Sequence, residues 1–421
     1  MNWSKQAVRD ASREGNYGRV IQLARREARL TQRQLGEACG ITQSAVSRLE
    51  SRAAGPYSMD ILASAAAHLG LPPRLVGLAD IAAAITAHTD GRDPVERREF
   101  LAGVAATAAA PALVAMSGPE RAQDTGQAAT LRVATAAFRR MDGATPSRQL
   151  SEVVLAHLRF VQSVAAETSD EPQRARLAAV GSEAASLAGW LSWDMGDPGS
   201  ARTWYGSAIK AAHRSGNRLL TAYQIGSLAQ MEADAGNAAQ ALNLVASARR
   251  QLGTDPVAIA DAWLSTVEAL AHAAAGDERL CDRALVRSRA GVSQLTAEEP
   301  PPWPWVFTFN ESKVEACRLT CGARLGLPHW VFGSHNAVSV ATSSAHAKQR
   351  ALLQLDLAAG HMAGGRLEAG YVLATQAVEA GLRYRSGRVV DRARIFRRSY
   401  SSSTPPRIVR DFDDKLHGVY L

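Results

Sequence analysis

Apolar side chains recur along this chain at intervals of three and four rather than two, so the elements the pattern predicts are helices. Between Leu30 and Glu50, Leu35 and Ala38 fall on the inner face of one short helix. Val46 and Leu49 fall on the inner face of a second. Gly36 is small enough for the two to cross closely, and Gly40 supplies the sharp turn between them. Thr31 and Thr42 stand where N-caps belong. The outward face of the second helix is polar and carries Gln43, Ser44, Ser47 and Arg48. Val20, Leu23 and Ala24 mark a helix before the pair. Ile61, Leu62, Ala65 and Leu69 mark one after it, with Ser58 as its cap. The prediction is a unit of five short helices over residues 1–80, closed by Gly70-Leu71-Pro72-Pro73.

Residues 81–130 read as a helical connector, alanine-rich and punctuated by Asp90-Gly91-Arg92-Asp93-Pro94 and Ser117-Gly118-Pro119. From 131 to 421 one helical pattern follows another. Met195-Gly196-Asp197, Ala235-Gly236-Asn237 and Ala275-Gly276-Asp277 set their glycines 40 residues apart. A glycine followed by Asp or Asn suits a tight turn, since glycine tolerates positive φ and the next side chain can cap the following helix. Ala201, Tyr205, Ala208 and Ala212, and then Ala241, Leu244, Val245 and Ala248, supply the buried stripes. Helix pairs of this kind bury their stripes by stacking on one another. Ala363-Gly364-Gly365 reads as another such turn.

Composition fits that picture: 46% hydrophobic residues with only 6% aromatic favours an all-α chain of closely packed helices. The net charge of +8 suits an anionic partner and equally suits plain solubility. Cys39, Cys281, Cys317 and Cys321 lack the paired spacing of a disulfide framework, which fits a reducing cytoplasm. Cys317 and Cys321, four apart on one helix face, read as buried small side chains rather than a metal or redox site. Arg97-Arg98-Glu99-Phe100-Leu101 before the apolar run to Met116 imitates an export leader. It follows a folded unit and is too short to span a bilayer, so a non-exported connector or packing helix is expected, with no membrane partner.

No glycine-rich phosphate cradle, no phosphate-binding loop and no His-Glu-x-x-His motif is present. His329, His335, His346 and His361 show no ligand spacing. The chain is therefore expected to be neither an enzyme nor the holder of a cofactor or metal.

The stretch from Leu30 to Glu50 resembles the phage repressor and Cro type of helix-turn-helix, the XRE family, and the likeness extends over about residues 17–78. It rests on Gln32, Gly36, Gly40, the Thr-Gln-Ser run at 42–44, Val46 and Leu49. The resemblance implies that double-stranded DNA is the partner, that Gln32 holds a phosphate, and that Gln43, Ser44 and Arg48 meet base edges. Arg33, Thr42, Ser47, Arg52 and Tyr57 complete the expected DNA-facing set. Arg25 and Glu50 occupy positions that in the family form a largely buried ion pair. A repressor-type domain reads a half-site, so a homodimer on an inverted repeat is expected. A Cro-like unit used only for protein contacts would want apolar anchors where this helix carries polar ones.

The later helices are similar to tetratricopeptide repeats over about residues 150–385, with a period longer than usual. The combination, together with the Arg97 segment, Trp305-Val306-Phe307 and Asp411-Phe412-Asp413 to Leu416, resembles regulators of filamentous actinobacteria. A peptide or small-molecule effector in the repeats is the implied partner, with Trp190, Tyr223, Trp305 and Asn310 as candidate contacts. Those aromatics equally suit core packing. Nine arginines against the single Asp391 over residues 383–410 suit phosphate contact or, preferably, a solvated helix face. The competing reading of the whole chain is a helical-repeat interaction scaffold with an accessory helix-turn-helix.

Overall fold

The computed structural model describes residues 6–52, 59–77, 126–295, 303–333, 344, 346–417 and 419, and among them every regular element is helical. Tyr57, Ser58, His335, the Arg97–Met116 stretch and nearly all of the 81–130 connector lie outside the described residues. The chain divides into two compact units, Met1–Gly103 with Asp197–Trp204, and Val104–Gly196 with Tyr205–Leu421.

In the first unit, α1 (Gln6–Arg13), α2 (Tyr17–Glu27), α3 (Gln32–Cys39), α4 (Gln43–Ser51) and α5 (Met59–Leu69) precede a single 3-10 turn at Pro73–Val76. Their starts are set by side chains. Asn16 accepts from the Arg19 amide at 3.1 Å, and Thr42 from the Ala45 amide at 3.2 Å. Thr31 and Gln34 form a reciprocal capping box, each side chain serving the other's backbone N–H. Val20, Ile21, Leu35, Val46, Leu62 and Val76 are fully buried together, with Val8 and Ala11 of α1 closing one side of the core.

Ala38, expected to face inward, is exposed, and Cys39 packs against the core in its place. The reason is geometric: Leu35 and Gly36 face the core, so the residue four places after Leu35 shares its face more closely than the one three places after. A Cβ on Gly36 would sit 2.7 Å from the Ile41 carbonyl oxygen, and Gly40 takes φ +67°, so both helix-turn-helix glycines are required by sterics.

The second unit begins with α6 (Gln127–Met141), α7 (Ser147–Glu167) and α8 (Glu171–Asp194). Hairpin partners follow as α9 (Pro198–Arg214), which belongs to this unit from Tyr205 onward, α10 (Arg218–Asp234), α11 (Ala238–Leu252), α12 (Ala258–Ala274) and α13 (Glu278–Val292). Gly196, Gly236 and Gly276 sit in the turns that end α8, α10 and α12, with φ of +77°, +84° and +77°. The 40-residue period is thus a repeated helix hairpin. Asp197 and Asp277 cap the helices that follow, each accepting an amide hydrogen bond at 2.9 Å. Asn237 does not cap; its carboxamide donates to Glu232 Oε2 at 2.6 Å instead. Tyr205, Ala208 and Ala212, and Ala241, Val245 and Ala248, are buried, with Leu244 half-buried beside them.

The remaining helices are α14 (Glu311–Leu325), α15 (Pro328–Phe332), α16 (Ala347–Ala363), α17 (Leu367–Arg383), α18 (Gly387–Arg398) and α19 (Arg407–Leu416). Gly365, φ +74°, turns α16 into α17 just as the earlier glycines do. Tyr371, Phe396 and Phe412 interlock edge-on to pin α17, α18 and α19 together. No helix among the described residues is long and apolar enough to cross a membrane.

Candidate functional site

Helix α4 presents one buried and one solvated face because its apolar residues fall at a helical interval. Val46 is fully buried and Leu49 packs against the core, so Gln43, Ser44 and Arg48 are exposed opposite them, with Ser47 half-buried at the edge. Thr42 joins the row at its start, its hydroxyl also 3.0 Å from that of Ser44. Arg48 leans back over its own helix, its Nε donating to the Ser44 carbonyl oxygen at 3.4 Å, and stays exposed. Arg33 lies on the exposed face of α3 and pairs with Glu37 at 3.0 Å, and Arg52 is exposed at the end of α4.

A ladder of hydrogen bonds links this row to the core. Arg25 grips Glu50 with two bonds, Nε to Oε1 at 2.6 Å and Nη2 to Oε2 at 2.8 Å, while its Nη1 donates to the Leu30 carbonyl at 2.7 Å. Gln32 Nε2 donates to Glu50 Oε2 at 2.9 Å, and Gln43 Nε2 donates to Gln32 Oε1 at 3.1 Å. Burial alone would push the Glu50 carboxyl up, but the bonds from Arg25 and Gln32 outweigh it and hold it below the usual carboxylate range. Glu50 raises Arg25 in return. The Gln43 side chain, expected to read a base, therefore leaves the protein surface already oriented by Gln32. That bond between two glutamines eleven positions apart was not foreseen from their spacing.

Residues 16–78 match the helix-turn-helix domain family. The first unit carries a DNA-binding helix-turn-helix, and α3 and α4 are its two central helices. No curated protein matches the chain.

In the second unit the four candidate effector residues, Trp190, Tyr223, Trp305 and Asn310, line one cavity of about 640 Å³. The repeat explains much of its wall. Trp190, Gln230 and Leu270 stand 40 residues apart on the first helices of successive hairpins, as do Tyr223 and Trp263, whose rings stack at 5.1 Å. Trp305 meets both edge-on at 5.0 and 5.6 Å and is buried. Gly226 makes this possible, since a Cβ there would fall 2.5 Å from the Trp263 ring. Two of the four have their polar atoms engaged: Trp190 Nε1 donates to Asp142 Oδ2 at 2.7 Å, and the Asn310 carboxamide oxygen caps α14.

Charge is concentrated at two nodes. Asp142 receives Lys348 at 2.9 Å and His346 at 3.1 Å; these overcome its burial and bring its carboxyl down to about 2. Asp234 is surrounded by Arg324, Arg388 at 3.4 Å and Arg392 at 2.6 Å, and Arg392 reaches on to Asp356 at 2.8 Å. Burial opposes the ionisation of Asp234, yet the guanidiniums hold it at about 2.

The expected solvated arginine face holds only in part, and Arg388 and Arg392 are the clearest departures. Arg388 and Arg392 turn inward to satisfy these carboxylates, Arg388 also resting on the Trp193 ring at 3.9 Å, and Arg397 forks onto Asp413. Arg383, Arg385, Arg398, Arg407 and Arg410 remain exposed. Spacing alone did not show this because the acidic partners of Arg388 and Arg392 come from α10 and α16. Cys281 and Cys321 are buried, with Cys317 Sγ 3.9 Å from that of Cys321. Its hydrogen bond with Cys321 and then burial push the Cys281 thiol well up, and burial above all pushes up that of Cys321. Among the described residues no group of His, Cys, Asp and Glu is arranged to hold a metal.

Proposed function

We propose that this protein is a sequence-specific transcriptional regulator of the phage repressor and Cro type, acting as a homodimer on an inverted repeat and tuned by an effector in the repeat unit. The observation that supports it is the polar row Gln43, Ser44 and Arg48 on a helix whose other face is locked in the core. Such a helix fits a major groove, where arginine pairs with guanine and glutamine with adenine. The helix hairpins resemble tetratricopeptide repeats, and the combination with this domain resembles regulators of filamentous actinobacteria working in the cytoplasm. The chain has no catalytic role in this reading.

Arg48→Ala or Gln43→Ala is expected to cost about 1–3 kcal/mol at one base pair of each half-site and to relax the preference there. Gln32→Ala behaves differently from a pure phosphate contact. It weakens binding to every sequence, and because it releases Gln43 it also blurs the base preference that Gln43 sets. Duplexes with single base changes, titrated against each variant, check both statements. Uniform losses from all three substitutions would remove the distinction between readers and positioners, and a wild-type protein indifferent to sequence would favour the scaffold.

A further inference from the structure

The cavity of the repeat unit is amphipathic along its length. One face of α14 supplies Lys313, Ala316, Cys317, Thr320 and Arg324 to its wall, a stripe at three- and four-residue spacing that runs about 16 Å at the rise of an α-helix. At the Arg324 end the charges are satisfied internally: the guanidiniums of Arg324, Arg388 and Arg392 share Asp234 and Asp356, and the Thr320 hydroxyl donates to Asp356 at 2.7 Å. Those groups form a built wall rather than a vacant socket.

The Lys313 end differs. Lys313 lines the cavity as an exposed residue, and its ammonium meets no acceptor among the described residues. Trp263, Trp305, Phe307 and Phe309 line the same cavity, and Phe307 stays 51% exposed although it is a large apolar side chain. Trp305 buries an indole N–H that finds no acceptor among the described residues. Among the described lining residues Arg324, Arg388 and Arg392 pair with Asp234 and Asp356 and Arg139 donates to the Glu183 carbonyl, whereas Lys313 meets neither kind of acceptor. The exposed Phe307 ring, the unpaired Trp305 indole N–H and the Lys313 ammonium in one concave site call for a ligand that carries an apolar body and a group to meet them.

We propose that this cavity binds a small organic acid, its flat apolar body against Trp263, Trp305 and Phe307 and its anionic group paired with Lys313. This rests on the reading of the repeat unit as an effector domain and gives the effector its chemical class. A volume of about 640 Å³ suits a drug-sized molecule, for which sites of about 300–1,000 Å³ are usual. A carboxylate and a sulfonate or phosphate would meet Lys313 in the same way, so the acid is defined by its charge and its planar body.

The test uses the full chain and two fluorescent dyes of nearly the same shape, anilinonaphthalene sulfonate and its uncharged parent phenylnaphthylamine. One equivalent of the sulfonate is expected to bind. Lys313→Met weakens it about tenfold or more, the scale of a charge-assisted bond, and leaves the uncharged dye almost unchanged. Ala316→Trp, which fills the cavity wall, weakens both. Lys313→Gln and Ala316→Phe serve if either variant loses its helical circular dichroism. Equal loss of both dyes in the Lys313 variant, no loss of the sulfonate, or survival of either dye in the Ala316 variant would each overturn the proposal. No DNA enters this titration, so its failure leaves the DNA-binding reading untouched. Conversely, a dye that binds as described while duplex affinity stays fixed keeps the site and removes its effector role.

Discussion

Arg25→Met is expected to destabilise the helix-turn-helix unit by about 3–5 kcal/mol, the range for leaving one member of a buried ion pair without its partner. The side chain of Glu50 is only 1% exposed, and without the two bonds from Arg25 its carboxylate would keep only the neutral side chains of Gln32 and Gln22 as hydrogen-bond partners. The Leu30 carbonyl loses a donor in the same step. In the intact protein the Glu50 carboxyl lies below its ordinary value, so its contribution is present above the unfolded pKa and disappears as the pH falls through the folded one. In Arg25→Met burial dominates and Glu50 shifts upward, so the variant comes closest to the wild type in acid. Arg25→Met with Glu50→Met removes both charges and should recover most of the loss. Hydrogen exchange at the buried amides of Val20 and Val46, followed in the full chain, reads the unit directly. A single variant that loses less than about 1 kcal/mol, or a double variant that loses the sum, would contradict the role given to the pair.

Asp234→Ala is expected to have a comparable effect on the repeat unit, about 3–5 kcal/mol, because it strips the shared anion from three converging guanidiniums. Asp356 would be left to balance Arg392 while Arg324 and Arg388 faced each other across the vacated position. The carboxyl lies at about 2 against an ordinary 3.8, and at 1.36 kcal/mol per unit that difference corresponds to about 2 kcal/mol of stability. The sign follows from a depressed folded value. The contribution is complete above about pH 4 and is lost as the pH falls towards 2. Urea unfolding followed by tryptophan fluorescence should therefore show a shallower acid dependence in Asp234→Ala than in the wild type. Parallel pH profiles would mean that Asp234 is not the anion that holds α10 to α14 and α18.

Much of this was legible in the residues because it is local. The caps at Thr31 and Thr42, the glycine turns at 40, 196, 236 and 276, and the inward Leu35, Val46 and Leu62 follow from side-chain chemistry and helical spacing alone. The 40-residue period held further information: it places Trp263 one repeat after Tyr223, which is why the two stack. What spacing did not show was long-range. Ala38 and Cys39 both lie near the inner edge of α3, and only the packed core decides between them. The arginines of α18 looked like a solvated face until α10 and α16 brought Asp234 and Asp356 to them. Lys313 carries no sequence motif at all; its setting arises from the walls that other helices build around α14.

The central claim is that the outward row of α4 reads duplex sequence, and selection of bound duplexes from a random pool by the full chain tests it most directly. Enrichment of a two-fold symmetric sequence with half-sites about one helical turn apart is expected, with loss of one base preference per half-site when Arg48→Ala is used. A pool that stays unenriched, or an Arg48→Ala protein that selects the same sequence as the wild type, would contradict it.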